Sequence, residues 1–341
     1  MCDATTILSY AAAFNIKGHM VTHDLASTTT PLFSIIIAAY NDWESLDQCL
    51  QSLAQQSDGP SFEVIIADDG STEPAPEFIR QWQRYYHLII DRQPHSGIST
   101  ARNRGAQLSR GSVLVFVDAD SRLQANCLAA LNAAITTSSQ HNCFQLRLVG
   151  DCRGLVGRAE QLRLITIQDQ MIQPNGCIRY LNTAGFAIRR SRVDIKRGIF
   201  DPVARRAEDT LLLSNLMQAG ELPFFLDDAI VQHATRLSLM ASLGKSIRSA
   251  YLEGRTYEII ASKGVRIRVS HRERLSMLWY MWKASGEHSI GRAAWFLLVA
   301  KQGLQRIITI AYRASSLLRA LVSSEKATPP STTGPTESDA N

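Results

Sequence analysis

Apolar residues fall in short runs that end in polar or acidic positions. Residues 33–39, 62–67, 88–91 and 113–117 are four such runs, rich in Ile and Val. They are too short for helices and apolar at successive positions, as expected of strands covered on both faces. Between the first two, Trp43, Leu46, Leu50 and Leu53 recur at helical spacing. They predict a helix to about Gln56, which Asp58-Gly59-Pro60 then breaks. Residues 77–86 and 98–108 predict two further helices. Strand, helix, strand on short connections is a βαβ unit, which implies a parallel sheet with right-handed crossovers. Beyond Asn126 the pattern predicts a helix to about Thr136. Strands over 144–148 and 180–188 follow, with a polar helix near 158–170 between them. Glu208-Asp209 opens a helix that Gly220 closes, and an apolar stretch from Phe224 leads to His233. Residues 236–322 read as amphipathic helices with breaks near Gly264 and Gly286.

The chemistry gathers where strands end. The run at 113–117 passes directly into Asp118-Ala119-Asp120. On extended backbone, side chains at i and i+2 point the same way, so these two carboxylates repel unless a cation lies between them. A hard divalent ion, Mg²⁺ or Mn²⁺, suits such oxygen ligands and keeps places for substrate phosphates. A solvated strand-end turn is the bland alternative. Two other strands also end in polar residues, Tyr40-Asn41 and Asp68-Asp69. Strand ends on one edge of a parallel sheet converge in space, which favours a site. Small residues at Thr183, Ala184 and Gly185 would admit a ligand closely. For Glu208 and Asp209 the simple account is favourable placement of acids in a helix's first turn.

Composition narrows the class. Six scattered cysteines without a C-x-x-C pair argue against a zinc module or a disulfide framework, and fit reduced thiols. No stretch reaches the roughly 18 apolar residues a spanning helix needs. The start lacks the basic and apolar regions of a signal peptide, so a cytoplasmic setting is expected. The net charge of +5 is uneven: residues 231–326 carry sixteen Lys/Arg against five Glu, a net +11. Trp279, Trp282 and Trp295 lie among these cations. Packing on the domain and contact with the inner face of a membrane are the two readings of this segment. Residues 1–30 read as an extension, and 323–341, rich in Thr, Pro and Ser, as a disordered tail.

Taken together, Ser34-Ile35-Ile36-Ile37-Ala38-Ala39-Tyr40-Asn41, Asp68-Asp69-Gly70-Ser71, Ala101-Arg102-Asn103, Asp118-Ala119-Asp120 and Glu208-Asp209 resemble the family 2 glycosyltransferases. The resemblance covers 31–235, followed by the basic helical region at 236–322. It implies an α/β GT-A fold: a Rossmann-like, mostly parallel central sheet flanked by helices, with a C-terminal helical extension. It implies an inverting transfer of a sugar from a nucleotide-diphosphate sugar, UDP most often, to a glycan or lipid-linked acceptor, as in surface polysaccharide assembly. Nucleic acid is not an expected partner. By this resemblance Ala38, Tyr40, Asn41, Asp68 or Asp69, Arg102, Asn103 and Asp118 bind the donor nucleotide. Asp118, Asp120 and His233 would hold Mn²⁺ or Mg²⁺. Asp209 would be the base with Glu208 beside it, and Thr183, Ala184 and Gly185 would line the sugar and acceptor pocket. Ala39 departs from the family's usual proline. A nucleotidyltransferase would want a Gly-rich basic loop after the first strand, which Tyr40-Asn41-Asp42-Trp43 does not offer. A degenerate binding module would have no need of Asp209.

Overall fold

The computed structural model describes residues 30–325, apart from 235–236, 265–269 and 288–289. The expected extension up to residue 29 and the tail from 326 lie outside the described residues. The first half alternates as the hydrophobic pattern requires. β1 (Phe33–Ala39), α1 (Trp43–Ala54), β2 (Phe62–Asp68), α2 (Glu77–Arg80), β3 (His87–Arg92), α3 (Ile98–Leu108) and β4 (Val113–Asp118) form the βαβ part. Then come β5 (Ser121–Leu123), α4 (Cys127–Thr137), β6 (Cys143–Gly150), α5 (Gly154–Met171), β7 (Phe186–Arg189), α6 (Glu208–Gln218) and β8 (Phe224–His233). Three helices close the chain: α7 (Leu239–Ser262), α8 (His271–Glu287) and α9 (Arg292–Glu325). The last helix runs past the boundary expected at 322.

All eight strands join one sheet in the order β3-β2-β1-β4-β7-β6-β8-β5. Strands β3, β2, β1 and β4 are parallel, as the βαβ reading demands. Beyond β4 the sheet is mixed: β7 is antiparallel to β4 and β6, β6 is parallel to β8, and β5 is antiparallel to β8. Successive residues of the central strands feed opposite cores. Ile35, Ile37, Val115 and Val117 pack with Leu46, Leu50 and Leu53 of α1. Ile36, Leu114 and Phe116 pack with Phe186, Phe200 and Leu212 on the other face. That two-sided burial is why these strands read as unbroken apolar runs.

Two expectations change. The strand predicted over 180–188 is confined to Phe186–Arg189. Before it, Thr183–Gly185 make a 3₁₀ turn in which Ala184 N donates to the Asn182 side chain. The buried Gln145 side chain takes the place of a strand neighbour, accepting from Asn182 N at 2.8 Å and donating to Gly185 O at 2.9 Å. Strand β5, three residues long, has no sequence pattern of its own and exists because β8 pairs with it. The C-terminal helices pack inward: Met281, Ala284, Ile290, Ala294 and Leu298 meet Ala159, Leu162 and Ile165 of α5.

Candidate active site

The C-terminal ends of β1, β2 and β4 open into a cavity of about 2290 Å³, closed on its far side by α5, α7 and α9. At one end Tyr40 stacks on His95 with ring centroids 4.4 Å apart. Asp69 organises the loop that carries His95. Its carboxylate accepts from Ser96 N and Gly97 N, both at 2.9 Å, and lies 2.9 Å from His95 Nδ1. Gly70 takes φ of +77°, and a Cβ there would sit 2.7 Å from His95 N, so the Asp-Asp-Gly-Ser turn needs its glycine. The pair Asp68/Asp69 is resolved by direction. Asp69 lines the cavity, while Asp68 turns back to accept from Ser71 N at 2.9 Å and Ser71 Oγ at 2.6 Å. Asn41 likewise ties loop to loop, accepting from Thr72 N at 2.8 Å. Ala38 and Tyr40 line the cavity; Asn41 supports it from behind.

At the end of β4, Asp118, Asp120 and His233 come together with their ligand atoms within 4.8 Å of one another. Sheet pairing brings the histidine there: Ser121 is in register with His233, and Ala234 N donates to Asp120 O at 3.0 Å. His233 Nε2 lies 3.4 Å from Asp120 Oδ1 and 4.0 Å from Asp118 Oδ2. Two ligands about 2.1 Å from one octahedral ion in neighbouring positions lie about 3 Å apart, so this spacing fits a divalent cation. Two carboxylates with one imidazole suit Mn²⁺, and Mg²⁺ through the oxygens.

Arg102 links this group to the far side of the site. It is 1% exposed, and its guanidinium forks to Asp118 Oδ1 and Glu208 Oε1, each at 2.7 Å. Burial opposes its charge, but the two carboxylates outweigh burial and hold it firmly cationic. The ring of Phe200 lies 5.5 Å from the guanidinium carbon. Arg102 is therefore a buried bridge between loops, where the motif alone suggested a phosphate ligand. Asn103 departs further from expectation. Its side chain accepts from Ile199 N and Phe200 N and donates to Phe200 O, pinning the 194–207 loop instead of turning to the cavity.

That loop delivers Glu208 and Asp209 to the first turn of α6. Ala207, just before them, is left-handed at φ of 58°, unusual for a residue with a Cβ. The two acids then differ in kind. Glu208, expected beside the base, is instead engaged by Arg102. Asp209 faces the cavity and, among the described residues, accepts only from Thr210, N at 2.6 Å and Oγ1 at 3.2 Å. Enclosure by protein, then repulsion from Glu208, pushes its carboxyl up to about 7.

Of the small residues expected at the pocket, Thr183 lines the cavity and Ala184 is fully buried. Gly185 packs under β6: a Cβ there would lie 2.9 Å from Leu148 Cδ2. Its smallness serves the core, not a ligand. The cavity also gathers residues without a motif. Arg163 and Glu160 form a forked pair on α5 with Tyr180 nearby, and Lys245, Lys301 and Arg306 come from the C-terminal helices. They lie far apart in sequence among many other basic residues, and no spacing announces them.

Residues 34–197 match the model for Glycosyl transferase family 2. Relatives include the uncharacterized glycosyltransferase YibD of Escherichia coli K12, 37% identical over 93 residues, covering 27% of each chain. Glycosyltransferase AglE of Haloferax volcanii is 36% identical over 99 residues, covering 28% of this chain and 32% of that one. The chain thus spans about a quarter to a third of the length of these relatives. The solved mannosyltransferase PcManGT of Pyrobaculum calidifontis, in complex with GDP-Man and Mn²⁺, matches at a TM-score of 0.52 and 18% identity, over 94% of this chain and 86% of that one. S. aureus TarS matches at 0.50 and 18%, over 82% and 55%. The fold is GT-A. Residues 34–197 are similar to the family 2 glycosyltransferases.

Proposed function

We propose that this chain is an inverting glycosyltransferase that moves a sugar from a nucleotide-diphosphate sugar to an acceptor hydroxyl. The observation that carries the reading is one cavity holding a carboxylate–imidazole cation group and, joined to it through Arg102, a cavity-facing carboxyl poised near neutral pH. The stacked Tyr40–His95 rim and Asp69 offer a platform and a polar edge for the nucleobase. Asp118, Asp120 and His233 would hold Mn²⁺ or Mg²⁺, which as a Lewis acid would stabilise charge on the departing diphosphate. Asp209 takes the proton of the attacking acceptor hydroxyl, and a base works best when its pKa lies near the working pH. A single displacement through an oxocarbenium-like transition state inverts the anomeric centre, so an α-linked donor gives a β-linked product. The cavity exceeds the roughly 300–1,000 Å³ of a single-ligand site, room for donor and acceptor together. UDP-sugars are the first donors to test, GDP- and dTDP-sugars the next, and a glycan or lipid-linked molecule is the acceptor.

Release of free nucleoside diphosphate from a panel of nucleotide sugars, with Mn²⁺ or Mg²⁺ and no acceptor, tests the reading. Metal-dependent release from one donor, abolished by Asp120→Ala, is the expected result. Neither release nor donor binding by calorimetry across the panel would move a degenerate binding module ahead of the enzyme.

The helical region bears on where the acceptor lies. Among the described residues no helix is long and apolar enough to cross a membrane. Yet Leu275, Trp279 and Phe296 are 68%, 66% and 61% exposed. Cations accompany the aromatics: Lys283 Nζ lies 5.9 Å from the Trp279 ring centroid, and the Arg292 guanidinium 3.8 Å from that of Trp282. Exposed tryptophan beside basic residues fits an anionic lipid surface. Flotation with anionic vesicles should carry the protein upward, less so for Trp279→Ala/Trp282→Ala. Protein left in the soluble fraction would rule the contact out.

A further inference from the structure

The far wall of the cavity is built by α5 and by two helices beyond the family match, α7 and α9, which carry a pair of ammonium groups. Ser242 and Lys245 on α7 are three residues apart and share a face. Lys301 of α9 reaches across to donate to Ser242 Oγ at 2.7 Å. That bond sets the two lysines on one strip of wall, and both line the cavity that holds Asp120 and His233. Among the described residues neither has a carboxylate within 4.0 Å. Arg163, a further cation on this side, is already forked onto Glu160. Lys301 is half-buried: burial, Arg163 and Lys245 all pull its pKa down, against the pull of Glu160. Lys245 in turn is close enough to act on Asp120. Two like charges that act on each other across one stretch of wall repel, and a bound anion relieves that repulsion. Lysine serves as a point-charge binder of phosphate, with rotatable donors and no planar demand on its partner.

We infer that Lys245 and Lys301 form a phosphate seat on the helical wall, facing the cation group across the cavity. The choice of phosphate as the anion rests on the glycosyl-transfer reading above. Two sources share this chemistry: the diphosphate of the donor and a phosphate carried by the acceptor.

The test titrates inorganic phosphate into the full-length protein with Mg²⁺ by calorimetry, with and without saturating UDP or GDP. Wild type is compared with Lys245→Gln, Lys301→Gln and the double variant. Each substitution should weaken phosphate by roughly tenfold, as for one charge-assisted hydrogen bond. An acceptor seat predicts that phosphate still binds beside the nucleotide, and that the variants keep wild-type nucleotide affinity. A donor seat predicts that nucleotide displaces phosphate, and that nucleotide affinity falls about tenfold in the variants. Equal phosphate and nucleotide affinities in wild type and variants would overturn the seat. Lys245→Gln changes an exposed side chain that makes no hydrogen bond among the described residues, so its outcome stands even if Lys301→Gln disturbs folding. A wild type that binds phosphate at these lysines but neither nucleotide would instead sink the UDP- and GDP-sugar donor readings.

Discussion

Asp209 meets two opposing demands. Enclosure raises its proton affinity, which suits the base role proposed above, and the same enclosure makes the ionised form costly to hold. With its carboxyl at about 7, transfer should rise with pH through neutrality and level off above it, a profile that Asp209→Asn abolishes. That variant should lose about 10²–10⁴ in turnover while binding donor as before, as initial rates and calorimetry would show. Stability carries the opposite slope. The unfolded carboxyl ionises near 3.8, so between about 4 and 7 the folded state retains a proton that the unfolded state has released. Folding stability therefore falls as pH rises across that window, and Asp209→Asn should flatten the fall in urea titrations. Arg102 is the other decisive residue. Arg102→Met leaves Asp118 and Glu208 facing each other without their cation and should cost about 3–5 kcal/mol in unfolding free energy. Arg102→Lys keeps the charge but lacks the fork that spans both acids.

At the scale of elements, the site depends on how closely strands and loops approach one another. Gly111, before β4, lies against β1: a Cβ would fall 2.7 Å from Ser34 N and 2.8 Å from the Phe33 carbonyl carbon. Gly111→Ala must push β4 away from β1, and with it Asp118. A loss of about 1–3 kcal/mol by chemical denaturation is expected, with weakened cation binding. Gly303 on α9 is the contrasting case, with open space where a Cβ would go. Gly303→Ala should stabilise by about 0.5–1 kcal/mol, because alanine loses less backbone freedom in a helix. Asn103 holds the loop that presents Glu208 and Asp209. Asn103→Ala strips two buried amides of their acceptor and should cost about 1–3 kcal/mol, while turnover falls further than donor affinity.

Across the cavity, strand ends present Asp69, Asp118 and Asp120, while α5, α7 and α9 present Arg163, Lys245 and Lys301 together with Glu160 and Glu253. Under the proposed reading, substrate phosphates lie between these two sides with a cation on the acidic one. Binding of that cation to the folded state alone should raise thermal stability. At a Mn²⁺ concentration of 100 times Kd the gain is about 2.7 kcal/mol, read as a shift in Tm that Asp120→Ala removes. No shift in the wild type would mean that the carboxylate–imidazole group does not select the ion.

Local pattern was enough for much of this. Residues such as Ile35 to Ile37 and Val113 to Val117 are apolar on both faces because both faces are covered, so the parallel strands and their order of appearance were legible in the chain. So were the acids at their ends, since Asp118, Asp120 and Asp209 sit where strand or helix termini must place them. Tertiary structure decided which polar groups face the cavity and which face protein. Asp69 and Asp68 are neighbours in sequence, yet one lines the cavity and the other caps a turn. Arg102 and Asn103 stand side by side in sequence, but both side chains are taken up by protein partners more than 90 residues away, and Arg102 by Asp118 as well. His233 reaches the two aspartates because three residues of β5 pair with β8, and Lys301 reaches Ser242, one turn before Lys245, because α7 and α9 pack together. Periodicity records burial, which is a property of each element. Contacts between distant elements depend on how those elements are assembled, and no local pattern encodes that.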